Sequence, residues 1–139
     1  MLLDHSLEVS GNLPAAGQTS QLGGSAGVLD IGVSQPGFSN QWRHGRLRIT
    51  YPALPNHTNP ALNITVVIYD SADGGGSFQQ VAPLTEFSIP GVASTGVPAG
   101  YQEIAFPPGL RGPMAFYATV PAGVGDCTGA LVCINFNIE

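Results

Sequence analysis

The stretch LNITVVIY, residues 62–69, decides the fold class of this chain. Its aliphatic side chains fall on every second position: Leu62, Ile64, Val66 and Ile68. A period of two is typical of a half-buried β-strand, because successive side chains of a strand point to opposite faces of the sheet. The stretches MAFYATV (114–120) and ALVCINFNI (130–138) alternate in the same way. These three segments predict long strands with one buried face.

Shorter alternating stretches occur elsewhere, and no window shows the period of an amphipathic helix. They lie around residues 7–9, 29–33, 47–51, 87–89 and 104–106. The 19 glycines and 12 prolines punctuate the chain between these segments, as turns require. The sequence therefore predicts an all-β protein of about eight strands. We expect one antiparallel β-sandwich domain, jelly-roll-like, over residues 1–139, with a short N-terminal arm.

The charge content is low and argues against two classes of partner. Only 9% of the 139 residues are charged, there is no lysine, and the formal net charge is −5. Proteins bind nucleic-acid backbones by neutralising phosphates with many basic residues, so no nucleic-acid partner is expected. No stretch approaches the ~20 apolar residues of a membrane-spanning helix, and the N-terminal residues show no secretory leader. We therefore expect no membrane partner.

Asp70 and Asp73, followed by Gly74–Gly76, are the strongest candidate for a metal site. Calcium takes six to eight oxygen ligands, and this stretch offers two carboxylates with loop carbonyls. The alternating acids and closing glutamate of a full calcium loop are absent. The alternative is a hairpin turn, in which the glycines supply positive φ angles and Phe78 begins the return strand. We favour the turn, and predict no metal site.

Other residue patterns give no catalytic or cofactor-binding prediction. Gly23–Gly27 matches G-x-S-x-G, but the strand before it and the helix after it, which a nucleophile elbow needs, are missing. His5, His44 and His57 lack the spacing of metal ligands. Without a phosphate-binding motif or a clustered acid–base pair, the sequence predicts no catalytic residues, no cofactor and no enzyme. Cys127 and Cys133 are six residues apart, and free thiols are favoured over a disulfide.

The stretch FSNQWRHGRLR, residues 38–48, concentrates the single tryptophan and three of the four arginines. Tryptophan and arginine are the residue types most enriched at interface hot spots. Two interpretations stay open: Trp42 caps one end of the sandwich and the arginines are solvated, or this loop contacts a partner. The scarcity of charge elsewhere favours the contact.

The order of these motifs resembles that of the capsid cement (decoration) proteins of short-tailed bacteriophages. The resemblance covers nearly the whole chain and is one of pattern and order. Its segments begin with MLLDHSLEVSG (1–11) and GVLDIGV (27–33), continue through RLRITYPAL (46–54), LNITVVIYDSADGGGSFQQV (62–81) and the proline-rich 89–120, and end with GALVCINFNIE (129–139).

The resemblance implies a structural virion protein on the outer surface of a phage capsid, made in the host cytoplasm. Its partner would be the phage major capsid protein, bound by a homo-oligomer, either a dimer or a trimer. The expected contacts lie in the N-terminal arm and two loops. They are Met1, Leu2, Leu3, Phe38, Trp42, Arg43, Arg46, Leu110 and Arg111.

A carbohydrate-binding or adhesin-like β-sandwich of a virion is the alternative. Exposed aromatic rings would stack on sugar rings, as Tyr51, Tyr69, Tyr117 or Trp42 could do. Tyr69 and Tyr117 fall on the predicted outer faces of their strands, which keeps this alternative open.

Overall fold

Ten β-strands run through the part of the chain that the structure, a computed structural model, describes. The described residues are 8–24, 27–29, 45–73, 75–81, 84–105 and 112–138. The strands are β1 (Glu8–Asn12), β2 (Gln18–Gln21), β3 (Val28–Leu29), β4 (Gly45–Tyr51), β5 (Asn63–Asp70), β6 (Gln79–Gln80), β7 (Glu86–Pro90), β8 (Gly100–Ala105), β9 (Met114–Val120) and β10 (Leu131–Ile138).

The strands form two antiparallel sheets. The first sheet has the order β1-β10-β4-β8, so the first and last strands of the chain are neighbours. The second sheet is built around β9 and β5. On its far sides, β2 and β3 both pair with β9, and β6 and β7 both pair with β5. The all-β antiparallel prediction is confirmed.

The difference between ten strands and the predicted eight has a simple origin. Each edge of the second sheet is broken into two short strands that lie one after the other along the same neighbour. The ten strands therefore occupy eight strand positions, four in each sheet. The alternating stretch predicted around 29–33 overlaps β3, whereas β2 and the two-residue β6 have no apolar alternation that would reveal them. The finer jelly-roll assignment stays a prediction.

The hydrophobic core takes side chains from both sheets. On β5 the inward residues Ile64, Val66 and Ile68 are buried, and their neighbours on the other face are half-buried. The same alternation buries Met114, Phe116, Ala118 and Val120 of β9, and Val132, Ile134 and Phe136 of β10. The predicted inward faces of the three long strands are thus confirmed over these residues. Apart from Ala118, each of these side chains contributes roughly 1.5–3 kcal/mol by leaving water.

The two sheets also meet at an edge. The Gln102 Nε2 atom on β8 of the first sheet donates a 2.8 Å hydrogen bond to the backbone carbonyl of Ser88 on β7 of the second sheet. Gln102 stands beside Ile49 in the register of β8 and β4, on the inner side of its sheet. This bond links the edges of the two sheets by a side chain instead of a shared strand.

Three connecting segments lie together at one end of the molecule, which we call the loop end: residues 52–62, 91–99 and 121–130. Leu54 and Val97 exchange two backbone hydrogen bonds, of 2.8 and 3.0 Å, which join the first two segments. The Gly125 amide donates to the Asn56 carbonyl over 3.1 Å and joins the third. The loop end is therefore held by main-chain bonds between loops.

Candidate functional site

The structure describes one of the nine predicted contact residues, Arg46. It begins β4 next to Gly45, it is exposed, and it stands opposite Asn137 of β10 and Ala105 of β8. The other eight lie outside the described residues: Met1, Leu2, Leu3, Phe38, Trp42, Arg43, Leu110 and Arg111. Arg46 and its neighbours are therefore the described part of the predicted contact surface.

Arg46 belongs to the outer face of the first sheet, which we call the Arg–Tyr face: Arg46, Arg48, Tyr101, Glu103 and Leu131. The Arg48 guanidinium carbon lies 4.4 Å from the centroid of the Tyr101 ring, and Arg48 Nη2 lies 3.2 Å from Glu103 Oε1. Arg48 stands directly opposite Glu103 in the register of β4 and β8, so the strand pairing sets this ion pair. An ion pair exposed to solvent contributes at most about 1 kcal/mol.

The Arg–Tyr face leaves two large apolar side chains in water. Tyr101 is 59% exposed and Leu131 is 52% exposed. Nearby, Arg48 Nε and Asn135 Oδ1 are buried without a hydrogen-bond partner, and their residues face each other across β4 and β10. The exposed Tyr101 and Arg46 are of residue types that are enriched at protein interfaces. Sequence reasoning did not select Tyr101 as a contact residue. Tyr101 lies on the face of β8 opposite to the inward Ile104, so the strand alternation was the signal that could have found it.

The outer face of the second sheet has different chemistry, and we call it the Tyr–Thr face: Thr19, Thr65, Tyr69, Tyr117 and Thr119. The rings of Tyr69 and Tyr117 are 4.4 Å apart between centroids and are inclined by 48°. The hydroxyls of Thr19 and Thr119 lie 2.8 Å apart, and Thr119 stands opposite Thr65. The predicted outward placement of Tyr69 and Tyr117 is confirmed, and both residues are half-buried.

The turn interpretation of Asp70 and Asp73 is confirmed. Asp70 is buried at the end of β5 and pairs with Gln79, which begins the return strand one residue later than predicted. Asp73 is exposed and accepts hydrogen bonds from its own loop: Oδ1 accepts from the Ser71 hydroxyl at 2.6 Å and the Ser77 amide at 3.0 Å, and Oδ2 accepts from the Ser77 hydroxyl at 2.9 Å. The hydrogen bonds from Ser71 and Ser77 hold the pKa of Asp73 well below its ordinary value. The carboxylate organises the loop itself.

His57 is a structural residue at the centre of the loop end. Its side chain is fully buried, and Nε2 lies 2.8 Å from the Ile89 carbonyl oxygen. Because a carbonyl only accepts, Nε2 donates this hydrogen bond, and Nδ1 is buried without a hydrogen-bond partner. His5 and His44 lie outside the described residues, as does Ser25 of the G-x-S-x-G match.

The two cysteines are free thiols. Cys127 is buried in the core cluster, whereas Cys133 alternates with the inward residues of β10 and is half-buried on the outer side. Burial and the nearby Asp126 carboxylate raise the pKa of the Cys127 thiol. Burial and the neighbouring Glu8 carboxylate do the same for Cys133. Neither thiol is activated as a nucleophile, which would need a lowered pKa.

A cavity of about 250 Å³ opens at the loop end, between the segment after β4 and the segment before β10. Its apolar wall is formed by prolines and small aliphatic residues, with Asn56 and Asp126 as the polar members. The lining residues are Pro52, Ala53, Leu54, Pro55, Asn56, Asp126, Cys127, Gly129 and Ala130. Nothing in the sequence pattern indicated this cavity, because it forms between loops that are about 70 residues apart.

No protein-family model matches this chain, and no curated protein is significantly similar to it in sequence. Within the described ranges, no group of three or more metal-ligating side chains comes together. The same ranges contain no helix that is long and apolar enough to cross a membrane. The candidate sites are therefore the two outer sheet faces and the cavity.

Proposed function

We propose that this protein is a non-enzymatic structural component of a phage virion, a capsid cement protein that binds the outer surface of the major capsid protein lattice. The Arg–Tyr face supports this proposal best. It offers exposed Arg46 and Tyr101, residue types that are enriched at interface hot spots, with exposed Leu131 on the same sheet face. A rigid β-domain also loses little conformational entropy when it docks.

The mechanism we propose is mechanical reinforcement. A cement protein that touches two neighbouring capsid subunits must be released before those subunits can separate. Contacts to two subunits also raise the effective concentration of each contact, which strengthens binding without new interactions. A homo-oligomer, a dimer or a trimer, would extend the same effect. The protein would be made in the host cytoplasm and act on the outside of the virion.

The test is co-sedimentation with empty shells of the major capsid protein from the phage that encodes this chain. Arg46→Ala and Tyr101→Ala should each weaken binding, by about 30-fold if the residue is a hot spot worth about 2 kcal/mol. Gln80→Ala, on an exposed residue of the second sheet, is the matched control and should bind as the wild type does. Wild-type protein that stays in the supernatant would contradict the cement function. Equal binding of all three variants would contradict only the Arg–Tyr contact.

A carbohydrate-binding module is the second candidate, and the Tyr–Thr face favours it. Tyr69 and Tyr117 form an aromatic pair, and Tyr117 donates a 3.3 Å hydrogen bond to Gln21 Oε1. Aromatic rings with amide and hydroxyl groups beside them are the groups with which proteins hold neutral sugars. Glycan-array binding that is lost in Tyr69→Ala, together with no binding to shells, would support this candidate over the first.

A further inference from the structure

We propose that the cavity at the loop end binds a basic side chain, with a cationic head on an aliphatic stem, presented by a protein partner. The cavity, its single carboxylate and its rigid walls carry this inference. It does not depend on whether the partner is a capsid protein.

The size and walls of the cavity fit one side chain. Its volume of about 250 Å³ falls below the ~300–1,000 Å³ of sites for whole small molecules. The walls of Pro52, Leu54 and Pro55 offer apolar surface to a stem of methylene groups. Lysine and arginine bury such stems along apolar surface while their charged heads stay near water. An aliphatic stem therefore fits where a larger ligand does not.

Asp126 is the charged residue among those that line the cavity. Asp126 Oδ1 accepts hydrogen bonds from the Thr128 hydroxyl at 2.7 Å and the Thr128 amide at 3.0 Å. These bonds from Thr128 lower the pKa of Asp126, so the group is charged at neutral pH. The pKa of the Cys127 thiol in the same wall is raised by its burial and by the Asp126 charge.

Asp126 lacks a cationic partner within the described residues. Arg48 is paired with Glu103 on the Arg–Tyr face, and Arg46 starts β4 at the opposite end of the sheet from Leu131, where β10 emerges from the loop end. An exposed carboxylate beside an apolar cavity favours an occupant that brings a positive charge and disfavours an anionic one. The net charge of −5 for the whole chain favours the same sign of partner.

The cavity is preorganised. The Asn56 side-chain amide donates a 2.8 Å hydrogen bond to the Asp126 carbonyl, and the Gly125 amide donates back to the Asn56 carbonyl. The Ala130 amide donates to the Cys127 carbonyl over 3.0 Å and closes the turn that directly follows Asp126. Since the two walls are bonded to each other, little ordering is needed when a side chain enters.

The experiment is an NMR titration of the isolated, isotopically labelled protein with N-acetyl-lysine methylamide. N-acetyl-norleucine methylamide has the same four-carbon stem without the ammonium group and serves as the neutral control. We expect the lysine probe to shift the amide signals of Asn56, Cys127 and Ala130, and to do so more weakly as salt is added, because salt screens exposed charges. The norleucine probe should bind at least about threefold more weakly, as expected for the loss of one exposed ion pair.

Two variants distinguish the contribution of the Asp126 charge from that of the shape of the cavity. Asp126→Asn keeps an oxygen that can accept from Thr128 but removes the charge, so the lysine probe should bind it only as well as the norleucine probe does. Ala53→Trp, on an exposed wall residue, should block both probes. Equal binding of the two probes to the wild type, unchanged lysine binding to Asp126→Asn, or no shifts at the cavity would overturn the proposal. Because no shell is used, these outcomes are independent of the cement function.

Discussion

At the scale of single residues, the groups that sequence reasoning treated as candidate chemistry have structural duties. Asp73 stabilises a turn by hydrogen bonds, His57 is buried between loops, and the Cys127 thiol packs in the core. Their types alone could not distinguish these duties from function, because a carboxylate that organises a loop and one that binds an ion look alike in a sequence. Their hydrogen-bond partners make the distinction.

His57→Ala should destabilise the protein by about 3 kcal/mol. The change removes a buried hydrogen bond to the Ile89 carbonyl and opens a cavity where the fully buried imidazole was. Thermal or urea unfolding measures the effect. Thr58→Ala, at the exposed neighbouring position, should change stability by less than about 0.5 kcal/mol. Equal effects of the two substitutions would be inconsistent with the role of His57 described above.

The Asp73 carboxylate should make stability depend on acid. Its pKa in the folded protein is lowered from the ordinary value of 3.8, so its contribution is complete above that value and disappears as the pH falls toward the lowered pKa. We expect the Tm of the wild type to fall more steeply than that of Asp73→Asn between about pH 5 and about pH 2. Gln80→Ala, at an exposed position that carries no titrating group, should retain the wild-type slope. Parallel curves for wild type and Asp73→Asn would refute this assignment.

At the scale of elements, the long strands could be predicted and the short ones could not. The residues of β5, β9 and β10 alternate over seven or eight positions, and the core selects one face of each. In contrast, the strands missed are β2, which is polar throughout, and β6, which has two residues; each pairs with a longer neighbour, β9 or β5. Such a strand depends on the longer strand beside it, so its own residues show no pattern that predicts it.

The loop end shows a second limit of sequence reasoning. The glycines in 90–100 predict turns, but not that Gly96 lies against the segment around Pro55. Gly96 has a φ of +74°, and a Cβ atom there would lie 2.5 Å from the Leu54 carbonyl oxygen. Both the backbone angle and the close approach require glycine at this position.

Gly96→Ala should therefore cost about 2–3 kcal/mol, since alanine is strained at this angle and its methyl group would push the two loops apart. Chemical denaturation gives the value. Gly129→Ala is the control, because a Cβ atom there meets nothing within 4 Å, and its effect should stay below about 0.5 kcal/mol. A Gly96→Ala protein as stable as the wild type would show that the loops separate readily.

At the scale of the whole molecule, the two sheets divide the surface into faces of different chemistry. The Arg–Tyr face carries cations and exposed apolar side chains, while the Tyr–Thr face carries hydroxyls and a ring pair. Sequence reasoning placed the contacts on loops and an arm, and of these the structure describes only Arg46. That residue lies on a strand, so its neighbours on the face come from β8 and β10, which are distant in sequence.

Gln102→Ala should weaken the junction of the two sheets. The loss of its hydrogen bond to the Ser88 carbonyl should cost about 1 kcal/mol, and hydrogen exchange should accelerate in β7 and β8 before it does in β5 and β9. Gln80→Ala, on β6, should leave both rates unchanged. Uniform acceleration across all strands would indicate a general loss of stability and not a local junction.

The Gln102 bond has a consequence for molecules held close together. An edge strand with unpaired carbonyls can pair with a strand of another chain. Such pairing extends the sheet and leads to aggregation. Because the Ser88 carbonyl already accepts a hydrogen bond from a side chain of the same molecule, a strand of a neighbouring molecule does not pair with it. Neighbouring copies held close together are then less able to join their sheets at this edge. Their contacts with one another and with partners depend on side chains.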